Sequence, residues 1–164
     1  MVKRIVRDAL FAAIALTLFV VEAQIPIPVP IPGIKLGLAN IVTVWMIMKV
    51  GVPDALGVLL VRIALGGIFT GRLPSLVFSL AGGLLAFCAV LLLRKILKDG
   101  QIFVAGVVGA VFHNVGQLAA ATAFYSAPSV LIYSPVLILS GIVTGLFTGL
   151  LAQLLAKRLP RPKE

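Results

Sequence analysis

Residues 73–93 read LPSLVFSLAGGLLAFCAVLLL, a run without one charged side chain. As a helix rising about 1.5 Å per residue, such a run reaches across the roughly 30 Å hydrocarbon core of a bilayer. The run is continuously apolar rather than alternating, which excludes a transmembrane β-barrel. Five further apolar runs flank it, at 9–23, 34–50, 53–70, 101–124 and 130–156. The breaks between runs carry turn formers: Gly33, Gly51-Val52-Pro53, Gly71-Arg72-Leu73-Pro74, Lys98-Asp99-Gly100 and Ser126-Ala127-Pro128. Several of these breaks are a few residues long, so consecutive helices are expected to be antiparallel neighbours. The expectation is an all-α polytopic membrane protein: one integral domain over residues 1–164, a compact bundle of six spans.

Composition agrees. Of 164 residues, 61% are apolar and 12% charged, with a mean hydropathy of +1.20. Soluble domains are about half apolar and about a quarter charged, so this chain could not cover its own surface in water. That excludes a soluble globular enzyme, and the high apolar content excludes disorder. The excess of 14 basic over 5 acidic residues gives +9. It is not a nucleic-acid footprint, because no basic stripe with interleaved aromatics exists. The single cysteine, Cys88, lies within an apolar run, which leaves neither a disulfide framework nor a cysteine metal site.

The cations set orientation instead. Lys3, Arg4, Arg7, Lys49, Arg94, Lys95, Lys98, Lys157, Arg158, Arg161 and Lys163 fall on one side of the six-span scheme. Lys35 and Arg72 fall on the other, with Arg62 inside a span. The positive-inside rule then places both termini in the cytoplasm of a cell-membrane protein. A competing reading treats residues 1–24 as a secretory signal with Val21-Glu22-Ala23 as its cleavage site, which would leave five spans.

Ionisable groups at mid-bilayer cost about 2.5–3.5 kcal/mol each on insertion scales, so they face a partner or a cavity. Here they gather in one layer between mid-membrane and the outer face: Glu22, Gln24, Lys35, Asn40, Arg62, Arg72, His113, Asn114 and Gln117. His113 and Gln117 are four apart and share a helix face with Gly109 and Ala110 one turn earlier. Two readings stand side by side. In one, Arg62 pairs with Glu22 and the amides join helices. In the other, Glu22, Lys35, Asn40, Arg62, His113, Asn114 and Gln117 line an outward-facing pocket for a small acidic or phosphate-bearing solute. A lone histidine makes a zinc site unexpected, and neither a metal nor a cofactor is implied.

Residues 25–33 read IPIPVPIPG. Prolines at alternate positions forbid helix and favour an extended, polyproline-like path. The segment is either a stiff outer connector or a lid across the pocket mouth. In the first span, Ala9 and Ala13 form an Ala-x-x-x-Ala step that lets another helix approach closely.

The stretch GIKLGLANIV at 33–42, after its proline-rich turn, and GAVFHNVGQ at 109–117 together resemble the Gx transporter family, also described as heptaprenyl diphosphate synthase component I. The likeness runs over nearly the whole chain. It implies kinship with the substrate-binding S components of energy-coupling factor transporters: six-helix membrane proteins with an outward-opening site. In those proteins an Ala-x-x-x-Ala step in the first helix contacts the transmembrane coupling subunit, and Ala9 and Ala13 match that placement. The enzymatic label fits the residues poorly. Prenyl chain elongation relies on clustered aspartates that hold magnesium, whereas Asp8, Asp54 and Asp99 are isolated in the sequence. No Gly-x-x-x-x-Gly-Lys-[Ser/Thr] loop is present to hydrolyse ATP.

The leading expectation is therefore a non-enzymatic subunit that captures a vitamin-like or cofactor-precursor solute, its partners being the bilayer, a coupling subunit and separate ATPases. A noncatalytic anchor for prenyl diphosphate synthesis is the alternative. An autonomous carrier is disfavoured by the lack of an isolated inward-facing carboxylate.

Overall fold

The computed structural model describes residues 2–24, 37–71 and 73–159. Lys35, Arg72 and the 25–33 proline segment lie outside the described residues. Six α-helices follow one another: α1 (Val2–Gln24), α2 (Asn40–Lys49), α3 (Val52–Thr70), α4 (Leu73–Arg94), α5 (Ile102–Tyr125) and α6 (Ser134–Arg158). Single-stretch 3₁₀ helices at Asp99–Gln101 and Pro128–Tyr133 lead into α5 and α6, so the sixth apolar run begins as 3₁₀. No strand occurs among the described residues. Four helical stretches are long and apolar enough to cross a membrane: Val52–Phe69, Pro74–Arg94, Ile102–Tyr125 and Pro128–Arg158.

The first two expected spans take a different form. α1 has 23 residues but carries Lys3, Arg4, Arg7 and Asp8 in its first two turns. α2 has 10 residues, about 15 Å of helix and half a hydrocarbon core. Every residue from Ile41 to Met48 is buried. A helix apolar on all sides belongs either in lipid or in a protein core, and α2 is in the core. It touches each of the other five helices. Around it α1, α3, α4, α5 and α6 form an arc in which α1 meets α3, α3 meets α4, α4 meets α5 and α5 meets α6; among the described residues α1 and α6 do not touch. The arc's outer surface is apolar: Ile68, Leu92, Leu139, Val143 and Phe147 all stand exposed, as lipid-facing side chains do.

Charge fixes the direction of α1 against α3. Arg4 donates through Nε to Asp54 at 2.7 Å, and Arg7 through Nη2 to the other Asp54 oxygen at 2.5 Å. Both residues come from the first turns of their helices, so α1 and α3 run parallel. Arg7 also donates to Asp8 at 3.0 Å. Asp8 and Asp54, isolated in the sequence, thus meet across Arg7, because the parallel packing stacks the two helix starts. Their oxygens are engaged with guanidinium groups.

Between α5 and α6, helix backbones meet directly. A Cβ added at Gly106 would fall on the Gly149 backbone, and one at Gly149 on the Phe103 carbonyl oxygen. Within lipid, helix association rests on such close packing and on interhelical hydrogen bonds. Two side chains supply those bonds. Gln153 of α6 accepts the Ile102 N–H at 2.7 Å, satisfying one of the orphan donors at the start of α5. Asn114 of α5 donates Nδ2 to the Leu137 carbonyl at 2.7 Å.

Gly106→Val is therefore expected to destabilise the bundle by about 1–3 kcal/mol or more, the range for overpacking, seen as a lower melting temperature in detergent. Gly57→Ala, where an added Cβ meets nothing within 4 Å, is expected to leave melting unchanged or raise it slightly. Equal effects of the two substitutions would contradict this packing.

Candidate binding site

The C-terminal turns of α1, the entrance to α2 and the middle of α3 converge on one carboxylate. Glu22 is 3% exposed. Its Oε1 accepts the Gly37 N–H at 2.7 Å and its Oε2 the Leu38 N–H at 3.0 Å. Gly37 has φ +75°, a left-handed conformation that glycine adopts without a Cβ penalty. From there the chain turns into α2 through Asn40 N–H to the Gly37 carbonyl at 2.9 Å and Ile41 N–H to the Leu38 carbonyl at 3.1 Å. A carboxylate just before a helix N-terminus also meets the positive end of the helix dipole. Glu22 therefore acts as the anion at the start of α2.

Arg62 of α3 is likewise 3% exposed. Its guanidinium carbon stands 5.8 Å from the centre of the Phe19 ring, within the range of a cation–π contact. Phe19 lies one turn before Glu22 on α1, so the ring and the carboxylate bound the same space. Arg62 Nε and Nη2 are buried and make no hydrogen bond. A buried donor left unpaired costs about 1–3 kcal/mol, more when charged.

On the opposite wall, α5 presents His113 and Gln117, 6% and 5% exposed. Both press on α4 at Gly82, where an added Cβ would meet the His113 carbonyl oxygen at 2.7 Å and Gln117 Cγ at 2.8 Å. A side chain at position 82 would push this pair away from α4. Gln117 Oε1 is buried without a hydrogen-bond donor. Asn114, one residue from His113, points to α6 and holds Leu137 instead. A helix turns about 100° per residue, so neighbouring polar residues on α5 divide between the interior and the next helix.

Between the two walls lies a cavity of about 10 Å³, at the lower limit for one water. Asn40, Thr43 and Val44 of α2, Leu59 of α3, four residues of α4 and Gly109 of α5 line it. Leu59 is one turn before Arg62, and Gly109 one turn before His113. Of the residues expected at the site, Asn40 lines this cavity; Glu22 stands at the start of α2, Arg62 beside Phe19, His113 and Gln117 against α4, and Asn114 at the α5–α6 seam. Ala9 and Ala13 stand exposed on α1. Three contributors escaped the sequence reading. Thr43 follows Asn40 by three and shares its face, a signal that spacing carried. Ser79, 4% exposed, is one turn before Gly82. The amides of Gly37 and Leu38 are backbone groups that no side-chain motif announces.

Four helices long and apolar enough to cross a membrane, folded around buried polar side chains, define a helical membrane protein. The chain belongs to the heptaprenyl diphosphate synthase component I family, whose model matches residues 11–155. A search of curated proteins and a search of solved structures each return no match.

Glu22→Gln removes the charge that faces Arg62 and places an amide where the helix start presents N–H donors. It also weakens the charged acceptor of the Gly37 and Leu38 N–H groups, and hydrogen bonds to charged groups contribute about 1.5–3 kcal/mol, so a clear fall in melting temperature is expected. The double variant Glu22→Gln, Arg62→Gln is expected to lose less than the two single losses combined. Strict additivity in that cycle would show that the two charges do not interact.

Proposed function

We propose that this chain is a noncatalytic membrane subunit that binds a small anionic solute among Glu22, Asn40, Arg62, His113 and Gln117, and works with separate coupling and ATP-hydrolysing subunits. The observation that carries the reading is Arg62: a fully buried guanidinium with two donors unmade, in a layer where Gln117 also holds an unpaired acceptor. Such groups are costly in a low-dielectric interior unless a ligand meets them. Ala9 and Ala13, exposed on α1, offer a flat strip for the coupling subunit. Six spans with both termini in the cytoplasm of the cell membrane complete the scheme.

The family description favours one further reading. A chain described as component I of a prenyl diphosphate synthase has another component to meet, and this chain then serves as its membrane anchor. Asp8 and Asp54, held by Arg4 and Arg7, are poor magnesium ligands, so synthesis would fall to the other component.

Native mass spectrometry of the detergent-purified protein separates the two. Solute binding predicts a small molecule retained by the wild type and lost in Arg62→Ala, with both proteins inserted and folded. The anchor reading predicts co-purification with a soluble prenyl synthase and tolerance of Arg62→Ala. For orientation, single cysteines at Lys98 and Ser126 in a Cys88→Ser background are expected to differ. Ser126→Cys should react with a membrane-impermeant maleimide from outside, and Lys98→Cys only after lysis. The reverse pattern would invert the topology.

A further inference from the structure

We propose that Arg62 offers one edge of its guanidinium, the Nε and Nη2 side, as a bidentate seat for a two-oxygen anionic group, a carboxylate or a phosphate. The inference rests on the solute-binding reading above and narrows what the solute must carry.

The argument begins with which donors are unmade. Nε and Nη2 are the two buried Arg62 atoms without a hydrogen bond. They are not an arbitrary pair. Their N–H bonds run parallel along one side of the planar group, the fork that matches two oxygens of one carboxylate or phosphate. A single round anion or a neutral carbonyl would have to share one acceptor atom between the two donors, a poorer match to their parallel directions.

The surroundings keep that edge in place and keep its charge available. Phe19 sits at 5.8 Å from the guanidinium carbon, and a cation–π contact restrains the orientation of the plane. Glu22, nearby on α1, accepts the Gly37 and Leu38 amides at 2.7 and 3.0 Å and makes no hydrogen bond with the Nε–Nη2 edge, where both donors are unmade. A lysine at position 62 would keep the charge but supply a point donor in place of the fork. The seat therefore demands both charge and shape, and the chemistry that answers both is an oxyanion with two coplanar acceptors.

The same group could arrive on a dissolved solute or on a lipid headgroup, and the experiment distinguishes them. The protein has one tryptophan, Trp45 in α2, 3% exposed, on the helix whose start Glu22 holds. Its fluorescence and the melting temperature are followed while purified protein is titrated with inorganic pyrophosphate or glutarate, with sodium chloride at matched ionic strength as reference. A saturable response to pyrophosphate or glutarate is expected, chloride giving none. Arg62→Lys is expected to weaken that response at least tenfold. A lipid source appears as phosphatidic acid retained from nanodiscs by the wild type and lost from Arg62→Lys in native mass spectra.

Equal affinity in Arg62→Lys overturns the bidentate seat, and so does a chloride response matching the oxyanions, which needs no variant to fold. A neutral or cationic solute held alike by wild type and Arg62→Lys overturns it while the solute-binding reading stands. No bound small molecule or lipid under any of these conditions overturns both.

Discussion

The arrangement of α1, α2 and α3 depends on where the Glu22 carboxylate finds its donors. In water a carboxylate is solvated anywhere. Inside a helical bundle it must be met on the spot, by N–H groups or by a cation. Glu22 takes the amides of Gly37 and Leu38 and lies one turn beyond Phe19, which carries Arg62 over its ring. One side chain thus ties the end of α1 to the start of α2 and sets both against α3. Because α2 is the helix that all the others touch, its entry point positions the whole interior.

A second constraint is the absence of side chains at the helix crossings. Gly106 and Gly149 bring α5 and α6 into backbone contact, and Gly82 brings His113 and Gln117 against α4. Lipid gives helices little hydrophobic reason to associate, so dispersion contacts at such crossings and the two hydrogen bonds between α5 and α6 hold that part of the arc. The same crossings aim the polar residues of α5. His113 and Gln117 are turned into the layer around α2, whereas Asn114 completes the α5–α6 seam.

Among the described residues no group of three or more histidine, cysteine or acidic side chains is placed to hold a metal ion. Arg4 and Arg7 engage Asp8 and Asp54 at one end of the bundle, and Glu22 accepts the Gly37 and Leu38 amides nearer the other. Among the described residues, the interior leaves Arg62 Nε and Nη2, the Trp45 indole N–H and Gln117 Oε1 without hydrogen-bond partners.

Much of this was written in the residues themselves. Uncharged runs such as 73–93 determine helix and bilayer, since length and hydropathy alone decide what can cross hydrocarbon. The scarcity of polar groups within those runs also picks out Glu22, Asn40, Arg62, His113 and Gln117, because each is costly there without a partner. The sequence could not say that α2 is a short helix enclosed by protein, because a continuously apolar segment reads the same in lipid and in a core. Nor could it part Asn114 from His113, find the Gly37 and Leu38 amides, or join Asp8 to Asp54. Those depend on helix rotation and on contacts between distant segments, and only the tertiary structure sets them.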